Sequence, residues 1–203
     1  NFIDFYITSS NAASGSVFDP NANVSHKNIA TLSSELFKDL YIDINRKILH
    51  RSIVEHFDEE LANDYLKMLT DHDLYTHDET SIFPYCCSVS LYPFLLNGML
   101  QLGGESKPPK HIDSYCGSFI NLVFALASQF AGAIATPEFL LLFDYFARRD
   151  YGDDYLETHT HKINASLQHV VYSLNQPAAA RGFQSVFWNI SIYDEYYFES
   201  IFG

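Results

Sequence analysis

Apolar residues recur at helical spacing over two stretches in the first third of the chain. Between residues 26 and 56 they return every three to five positions, which predicts a long helix. Asp58, Glu59 and Glu60 follow, and acids are favoured at the N-terminus of a helix by its dipole. They predict a second helix that runs to about residue 68. Both helices are interpreted as scaffold with a solvated charged face.

Residues 75–99 combine a polar segment with a short apolar run that carries two adjacent cysteines, in the sequence YTHDETSIFPYCCSVSLYPFLLNGM. The pattern from Tyr85 to Leu91 fits a buried strand, whose successive side chains point to opposite faces. Cys86 and Cys87 are therefore predicted to face opposite ways, so that one thiol can face a pocket while the other packs. The alternative is that both are small buried hydrophobic residues.

The second half of the chain alternates between helical and strand-like blocks. One of its helices, over residues 111–131, is apolar nearly all round and rich in small residues, which is typical of a buried helix that packs closely on a neighbour. Thr136 is predicted to cap the next helix, with Pro137 at its first position. This alternation predicts a helix-rich α/β fold. The other predicted elements are helices over residues 91–100, 137–149 and 162–174 and a strand over 185–193.

The composition predicts a packed domain and argues against two kinds of partner. Hydrophobic residues make up 47% of the 203 residues, which suffices for one core. The formal net charge of −13 argues against nonspecific nucleic-acid binding, which depends on clustered Lys and Arg. No uninterrupted apolar run reaches the roughly 18 residues of a membrane span, and the N-terminus lacks the features of a signal peptide. We therefore expect no nucleic-acid partner, no membrane partner and a cytoplasmic location.

The three cysteines are an odd number without an export signal, which favours free thiols in a reducing compartment over a disulfide scaffold. No CxxC pair or Cys/His cluster has the spacing of a structural zinc site, so no metal site is predicted in this chain. A P-loop and a GxGxxG motif are also absent, so phosphate binding would depend on local basic residues.

Several stretches together resemble a known family. An HD pair precedes the cysteine-containing strand, and an NG-containing helix follows it. Upstream lies FDPNANVSHKNIATLSSELFK, and downstream lie GGESKPPKHIDSYCGSFINLVFALASQFAGAIAT, FDYFARRDYG and NQPAAARGFQSVFWNISIYD. In content and order these resemble the N-terminal portion of the catalytic subunit of anaerobic (class III) ribonucleoside-triphosphate reductase, a member of the glycyl radical enzyme superfamily.

The resemblance implies an α/β barrel of ten strands, of which residues 1–203 would form the N-terminal half-barrel region. It implies an oxidoreductase that converts ribonucleoside triphosphates to deoxyribonucleoside triphosphates by thiyl and glycyl radical chemistry, with a dNTP as allosteric effector. The sequence shows no ATP-cone, no glycyl radical segment and no four-cysteine zinc site. The chain is therefore expected to be inactive alone, as a fragment or one half of a split protein, and to bind no cofactor itself.

The same resemblance implies three protein partners. The remaining C-terminal part of the reductase would carry the glycyl radical and the structural zinc. A radical S-adenosylmethionine activase would generate the radical. A second copy of the enzyme would complete a homodimer.

The resemblance also assigns a catalytic thiol and a substrate site. Cys86 matches the early-strand cysteine that helps to reduce the 2′ carbon of the ribose, although a register shift of one residue would make it Cys87. His77 and Asp78 match the HD pair and are substrate-binding candidates, because a histidine and a carboxylate can bind hydroxyls or move protons. The alternative for this pair is a capping aspartate and a surface histidine. Cys116 matches no catalytic position and is interpreted as packing.

Five further residues complete the candidate sites. Gln184 and Ser185 match an element that enters a barrel strand and would line the substrate cavity; the alternative is ordinary turn residues. Lys110 matches the lysine of the PPK element in the effector site, and Lys107 and Arg148 are added as phosphate contacts. The alternatives are solubilising surface charges and, for Arg148, a cation that complements the C-terminal dipole of its helix.

Two other functions share some of these features. Another glycyl radical enzyme, such as a lyase or dehydratase, would have the same barrel. A non-catalytic nucleotide-binding module would need no reactive thiol. The PPK element and the small-residue helix, which resembles the family's dimer helix, favour the reductase.

Overall fold

The computed structural model describes residues 29–82, 84–99, 106–130, 132–176 and 185–202. The chain divides into two compact units, Asn1–Phe83 and Pro84–Gly203. The first is a pair of helices followed by a polar segment, and the second is an α/β unit.

The first unit contains α1, Ile29–His56, and α2, Glu59–Thr70, which pack against each other. Asp58 ends the short connection in an extended conformation, and its carboxylate accepts a hydrogen bond of 2.7 Å from the Leu61 amide. This N-cap satisfies an amide that the helix leaves unpaired. Both predicted helices are confirmed. Within the described residues, α2 covers only part of the apolar row of α1, and Leu40 is 53% exposed.

Among its described residues, the second unit contains three two-residue strands, which form a parallel sheet in the order β1–β2–β3. Helices lie between consecutive strands, as parallel connections require. The predicted helix-rich α/β class is confirmed. The strands are β1, Cys87–Ser88; β2, Ile134–Ala135; and β3, Trp188–Asn189, and the helices are α3, Tyr92–Asn97; α4, Ile112–Ala127; α5, Phe139–Tyr151; α6, Tyr155–Thr158; α7, Thr160–Leu174; and α8, Glu195–Phe202.

Aromatic side chains of α4 and α5 form the centre of the core. Tyr115 stacks on Phe146 and Phe139, with ring centroids 5.0 and 5.8 Å apart, and its hydroxyl donates a 3.0 Å hydrogen bond to the Phe139 carbonyl. Phe119 lies 4.5 Å from Phe139 and 5.3 Å from Trp188. Helix α4 packs on both α5 and α7, so the predicted buried helix is confirmed.

The structure corrects the predicted role of Thr136. Helix α5 begins at Phe139, and the buried Thr136 belongs to the extension of β2, because its amide donates to the Asn189 carbonyl at 3.0 Å. Its hydroxyl accepts a hydrogen bond of 2.7 Å from the Trp188 indole. The side chain therefore joins β2 to β3 instead of capping a helix.

Candidate active site

The two adjacent cysteines lie at the start of β1 in different surroundings. Cys87 is half-buried and packs against the core, whereas Cys86 is exposed. Burial raises the pKa of the Cys87 thiol, and the neighbouring Cys86 adds to the shift. The prediction that only one of the two thiols packs is confirmed, and Cys86 is the one available to a ligand.

The register of the sheet separates an apolar face from a polar one. Cys87, Ile134 and Trp188 lie side by side and point into the core, while Ser88, Ala135 and Asn189 lie side by side on the other face. Ser88 and Asn189 are exposed, so among the described residues this face presents a hydroxyl and an amide. Cys86 lies immediately before β1, and its exposed thiol stands at the edge of the sheet where that strand begins.

The loop before β2 supports the Cys86 thiol. The Ala133 amide donates to Cys86 Sγ at 3.2 Å, and the Gly132 amide donates to the Tyr85 carbonyl. A Cβ atom at position 132 would lie 2.6 Å from Cys86 Sγ and 2.7 Å from the Tyr85 carbonyl oxygen. A side chain at position 132 would displace the Cys86 sulfur, so the observed arrangement requires glycine. Our sequence analysis missed Gly132, although the isolated glycine in QFAGAIAT is a signal of close backbone approach.

Ser185 is half-buried at the approach to β3, and Gln184 lies outside the described residues. Their predicted substrate contacts stay predictions. Cys116 is buried in the core beside Tyr115, and burial raises the pKa of its thiol to about 12. The interpretation of Cys116 as a packing residue is confirmed.

His77 and Asp78 are exposed in the polar segment of the first unit. The Tyr75 hydroxyl and His77 Nδ1 form a hydrogen bond of 2.7 Å, and the Thr80 hydroxyl donates to Asp78 Oδ1 at 2.6 Å. Asp78 has a φ of +53°, a left-handed conformation that is uncommon outside glycine. Their role at the substrate stays a prediction.

The three predicted phosphate contacts differ in their surroundings. Lys107 and Lys110 are exposed before α4. Arg148 already contacts two carboxylates, with its Nε 2.8 Å from Asp144 and its Nη1 3.1 Å from Asp153. A phosphate at Arg148 would have to compete with both, whereas neither lysine forms an ion pair within the described part of the chain.

A carboxylate also occupies the N-terminus of α4. Asp150 accepts hydrogen bonds of 2.8 Å from the Ile112 amide and from the His111 side chain. Burial acts to raise the pKa of Asp150, but these bonds and the charges of His111 and Arg149 outweigh it and hold the pKa below its ordinary value. A phosphate near Lys110 would therefore be bound by side chains, and not by the first amide of α4.

Within the part of the chain that the structure describes, no helix combines the length and apolar character needed to cross a membrane. The same residues contain no group of three or more His, Cys, Asp or Glu side chains arranged to hold a metal ion.

Comparisons with known proteins agree on one family. The family model described as anaerobic ribonucleoside-triphosphate reductase matches residues 37–200. No curated protein matches the sequence at a significant level.

Several solved structures share the fold. The anaerobic ribonucleotide reductase from Thermotoga maritima, with citrate in its active site, is 25% identical with a TM-score of 0.75, over 87% of this chain and 32% of that one. The enzyme from the same organism in complex with dATP and CTP is 25% identical with a TM-score of 0.71, over 80% of this chain and 28% of that one. Another structure, described as an anaerobic ribonucleotide reductase, is 26% identical with a TM-score of 0.74, over 93% and 30%.

The chain thus spans about a third of the length of the solved structures that it matches. The family model covers most of the sequence, and it agrees with the motifs around the cysteines, the PPK element and the last strand. This chain belongs to the anaerobic ribonucleoside-triphosphate reductase family.

Proposed function

We propose that this chain is part of an enzyme that reduces ribonucleoside triphosphates to deoxyribonucleoside triphosphates. The observation that carries the proposal is the position of Cys86, whose thiol is exposed immediately before the first strand of a parallel sheet that has one face packed in the core. Parallel sheets are normally covered on both faces. A parallel sheet with helices on one face, exposed polar residues on the other and a thiol where a strand begins is what one arc of an α/β barrel would present to its interior.

In this proposal the three described strands belong to the ten-stranded barrel of the family. Strand β1 would bring Cys86 to the interior with Ser88 and Asn189 beside it. Cys87 and Trp188 point the other way and attach the sheet to α4 and α5.

The chemistry proposed for Cys86 is to help reduce the ribose. Replacement of the 2′-hydroxyl by hydrogen takes up two electrons and two protons and releases water. Cys86 would deliver a hydrogen atom from its thiol toward the 2′ carbon, with its sulfur positioned by the Ala133 amide and by the space at Gly132. An external reductant, either formate or a thioredoxin-type dithiol, would supply the two electrons overall and restore the thiol, and would itself be oxidised to carbon dioxide or to a disulfide. The glycyl radical, when present in the complete enzyme, supplies the radical that starts the reaction.

The remaining predicted residues would bind the two nucleotides. His77, Asp78, Gln184 and Ser185 would bind the substrate, and Lys110 with Lys107 would bind an effector triphosphate. Structures of the Thermotoga maritima enzyme contain dATP in the specificity site, and dATP with CTP, which supports two nucleotide sites in this family. Arg148 would contact the effector only if its contact with Asp144 or Asp153 were broken.

The complete enzyme would need further partners. These are the C-terminal part of the reductase with its glycyl radical and structural zinc, a radical S-adenosylmethionine activase, and a second copy in a homodimer. Three cysteines in this sequence cannot form a four-cysteine site, so that zinc would be held elsewhere.

The test is Cys86→Ser in the complete, anaerobically activated enzyme, with Cys87→Ser as the matched control. We expect Cys86→Ser to lose ribonucleotide reduction and to keep effector binding and thermal stability, because the side chain is exposed. Cys87→Ser should keep activity at a cost in stability, since its thiol packs. Full activity of Cys86→Ser would contradict the proposal and leave a binding module or a lyase as the better interpretation.

A further inference from the structure

The segment that carries His77 and Asp78 departs from regular structure at a residue that is not glycine. Asp78 has a φ of +53°. Such a conformation is unfavourable and persists where the surrounding contacts hold it, although aspartate tolerates it better than most residues. The contacts that hold Asp78 in this conformation therefore indicate which part of the segment the fold keeps ordered.

Helix α1 supplies the long-range part of these contacts. Arg46 binds the Glu79 carboxylate with two hydrogen bonds, from Nε to Oε1 at 2.9 Å and from Nη2 to Oε2 at 2.7 Å. The adjacent Asn45 donates from Nδ2 to the Glu79 carbonyl oxygen at 2.9 Å. Two neighbouring side chains of one helix thus hold both the side chain and the backbone of the residue that follows Asp78.

The arrangement is partly shielded from water and geometrically specific. The Arg46 side chain is 33% exposed and the Glu79 side chain 18%. A paired, two-point contact between guanidinium and carboxylate orients both groups as well as attracting them. The hydrogen bond to Glu79 raises the pKa of Arg46 against the opposing effect of burial, so the guanidinium stays charged.

The other ion pairs in the described part of this unit do something different. Arg51 and Glu55 are one helical turn apart on α1, with side chains 82% and 57% exposed. Lys38 and Glu35 are also neighbours on α1. Such pairs give only weak local support to the helix. Arg46 and Glu79 are 33 residues apart, and their contact attaches a loop to a helix.

Short-range hydrogen bonds also orient the side chains of this segment. Thr80 holds one oxygen of Asp78, and Tyr75 holds Nδ1 of His77. The imidazole and the carboxylate are thereby oriented while both side chains stay exposed. Exposed polar groups held in place by buried or shielded contacts are suited to binding a ligand without ordering themselves first.

We propose that Asn45 and Arg46 are positioning residues that act through Glu79 to hold His77 and Asp78 in the conformation that binds the ribonucleotide. This inference rests on the substrate role proposed above for the HD pair. Asn45 and Arg46 do not touch the substrate themselves. Their effect on the reaction is transmitted by the conformation of residues 77–79.

The test uses the complete, activated reductase and the variant Glu79→Gln, which keeps the shape of the side chain and the backbone contact with Asn45 but removes the charge. Glu55→Gln, which removes the carboxylate of the exposed α1 pair, is the matched control. We expect Glu79→Gln to raise KM for the ribonucleotide about tenfold with kcat little changed, as loss of substrate binding predicts. The control should leave KM unchanged, and the effector Kd and Tm should shift little in either variant.

A charge exchange provides the second measurement. Arg46→Glu combined with Glu79→Arg should recover most of the lost affinity, while Arg46→Glu alone should raise KM at least as much as Glu79→Gln. A Tm that falls with KM unchanged would overturn the inference, because it would show a structural role only. Equal changes of KM in Glu79→Gln and Glu55→Gln would also overturn it.

His77→Ala separates this inference from the function on which it rests. If His77→Ala raises KM and Glu79→Gln does not, the positioning role is wrong and the substrate role of the HD pair stands. If neither variant changes KM, both are wrong. A rise of KM in both, with recovery by the charge exchange, supports both.

Discussion

The Cβ atom that a side chain would place at position 132 lies 2.6 Å from the sulfur of Cys86. The same atom would lie 2.7 Å from the backbone oxygen of Tyr85, which cannot rotate away as a side chain can. The glycine at position 132 is therefore required by the close contact between the segments that lead into β1 and β2, and not by its own backbone angles. The candidate catalytic thiol and this glycine form one structural feature.

Gly132→Ala should destabilise the protein and displace the Cys86 thiol. Overpacking of this kind costs about 1–3 kcal/mol, and the sulfur would have to leave the Ala133 amide. The free energy of unfolding in urea measures the first effect, and the turnover of the activated enzyme measures the second. We expect activity to fall even under conditions where the variant is fully folded.

Gly117→Ala is the control for this prediction. Gly117 lies in α4, and a Cβ atom there would meet nothing within 4 Å. Alanine in a helix is favoured over glycine by roughly 0.5–1 kcal/mol, so this variant should be as stable as the parent or more so. Equal losses in the two variants would show that close packing at Cys86 is not the cause.

The three cysteines should differ in their reaction with iodoacetamide. The thiolate is the reactive form. With a pKa of about 12, the Cys116 thiol is ionised at a level of about 10⁻⁴ at pH 8, and it is also buried. In the native protein we expect Cys86 to react first, Cys87 more slowly and Cys116 only on unfolding.

Mass spectrometry of the labelled peptides measures this order. Labelling in urea is the control, because all three thiols should then react at similar rates. Native labelling of Cys116 as fast as Cys86 would show that the core around α4 opens readily, against the packing described here.

The local patterns in the sequence predicted the helices better than the strands. Helical spacing continues along the whole of α1 and α4, so it marks them well. The strands were predicted too long, since apolar alternation extends beyond the two hydrogen-bonded residues of β1 and β3. Strand β2 was missed because its neighbourhood, QFAGAIAT, contains small residues that read as the end of the preceding helix.

In the candidate site too, local sequence patterns predicted some features and missed others. Alternation along β1 predicted that Cys86 and Cys87 differ, and the packing of Cys87 decided which one remains available. The contacts of Gly132 and of Arg46 with residues far away in sequence leave no local pattern. They are tertiary contacts, which neither the periodicity of the sequence nor its motifs reveal.

Thr136→Val should destabilise the α/β unit. The substitution keeps the shape of a fully buried side chain and removes the acceptor of the Trp188 indole hydrogen bond. Leaving a shielded donor without its acceptor costs about 1–3 kcal/mol. Urea unfolding followed by the fluorescence of Trp188, the one tryptophan in the sequence, measures the change. Thr158→Val, at an exposed position of the same unit, should cost much less.

Asp150 should make stability depend on pH in the acid range. Its native pKa lies below the ordinary value of 3.8, mainly because the bonds from Ile112 and His111 together outweigh the opposing effect of burial. An acid with a lowered native pKa stabilises the folded state above its unfolded pKa, and this contribution is lost as the pH falls through the native pKa. The free energy of unfolding of the parent should therefore exceed that of Asp150→Asn by a constant amount from pH 7 to about pH 5, and this difference, the stability margin, should shrink below about pH 4.

The measurement is the free energy of unfolding in urea at a series of pH values from 7 to 3, for the parent, Asp150→Asn and Asp153→Asn. The Asp153 side chain is 90% exposed and pairs with Arg148, and exposed ion pairs of this kind contribute little to stability. Its loss should shift the whole curve slightly without changing its slope below pH 4. A margin for Asp150→Asn that stays constant down to pH 3 would show that the carboxylate is not stabilised in its charged form at the N-terminus of α4. The effector phosphate could then displace it there, and the side-chain site proposed around Lys107 and Lys110 would have to include the helix amides.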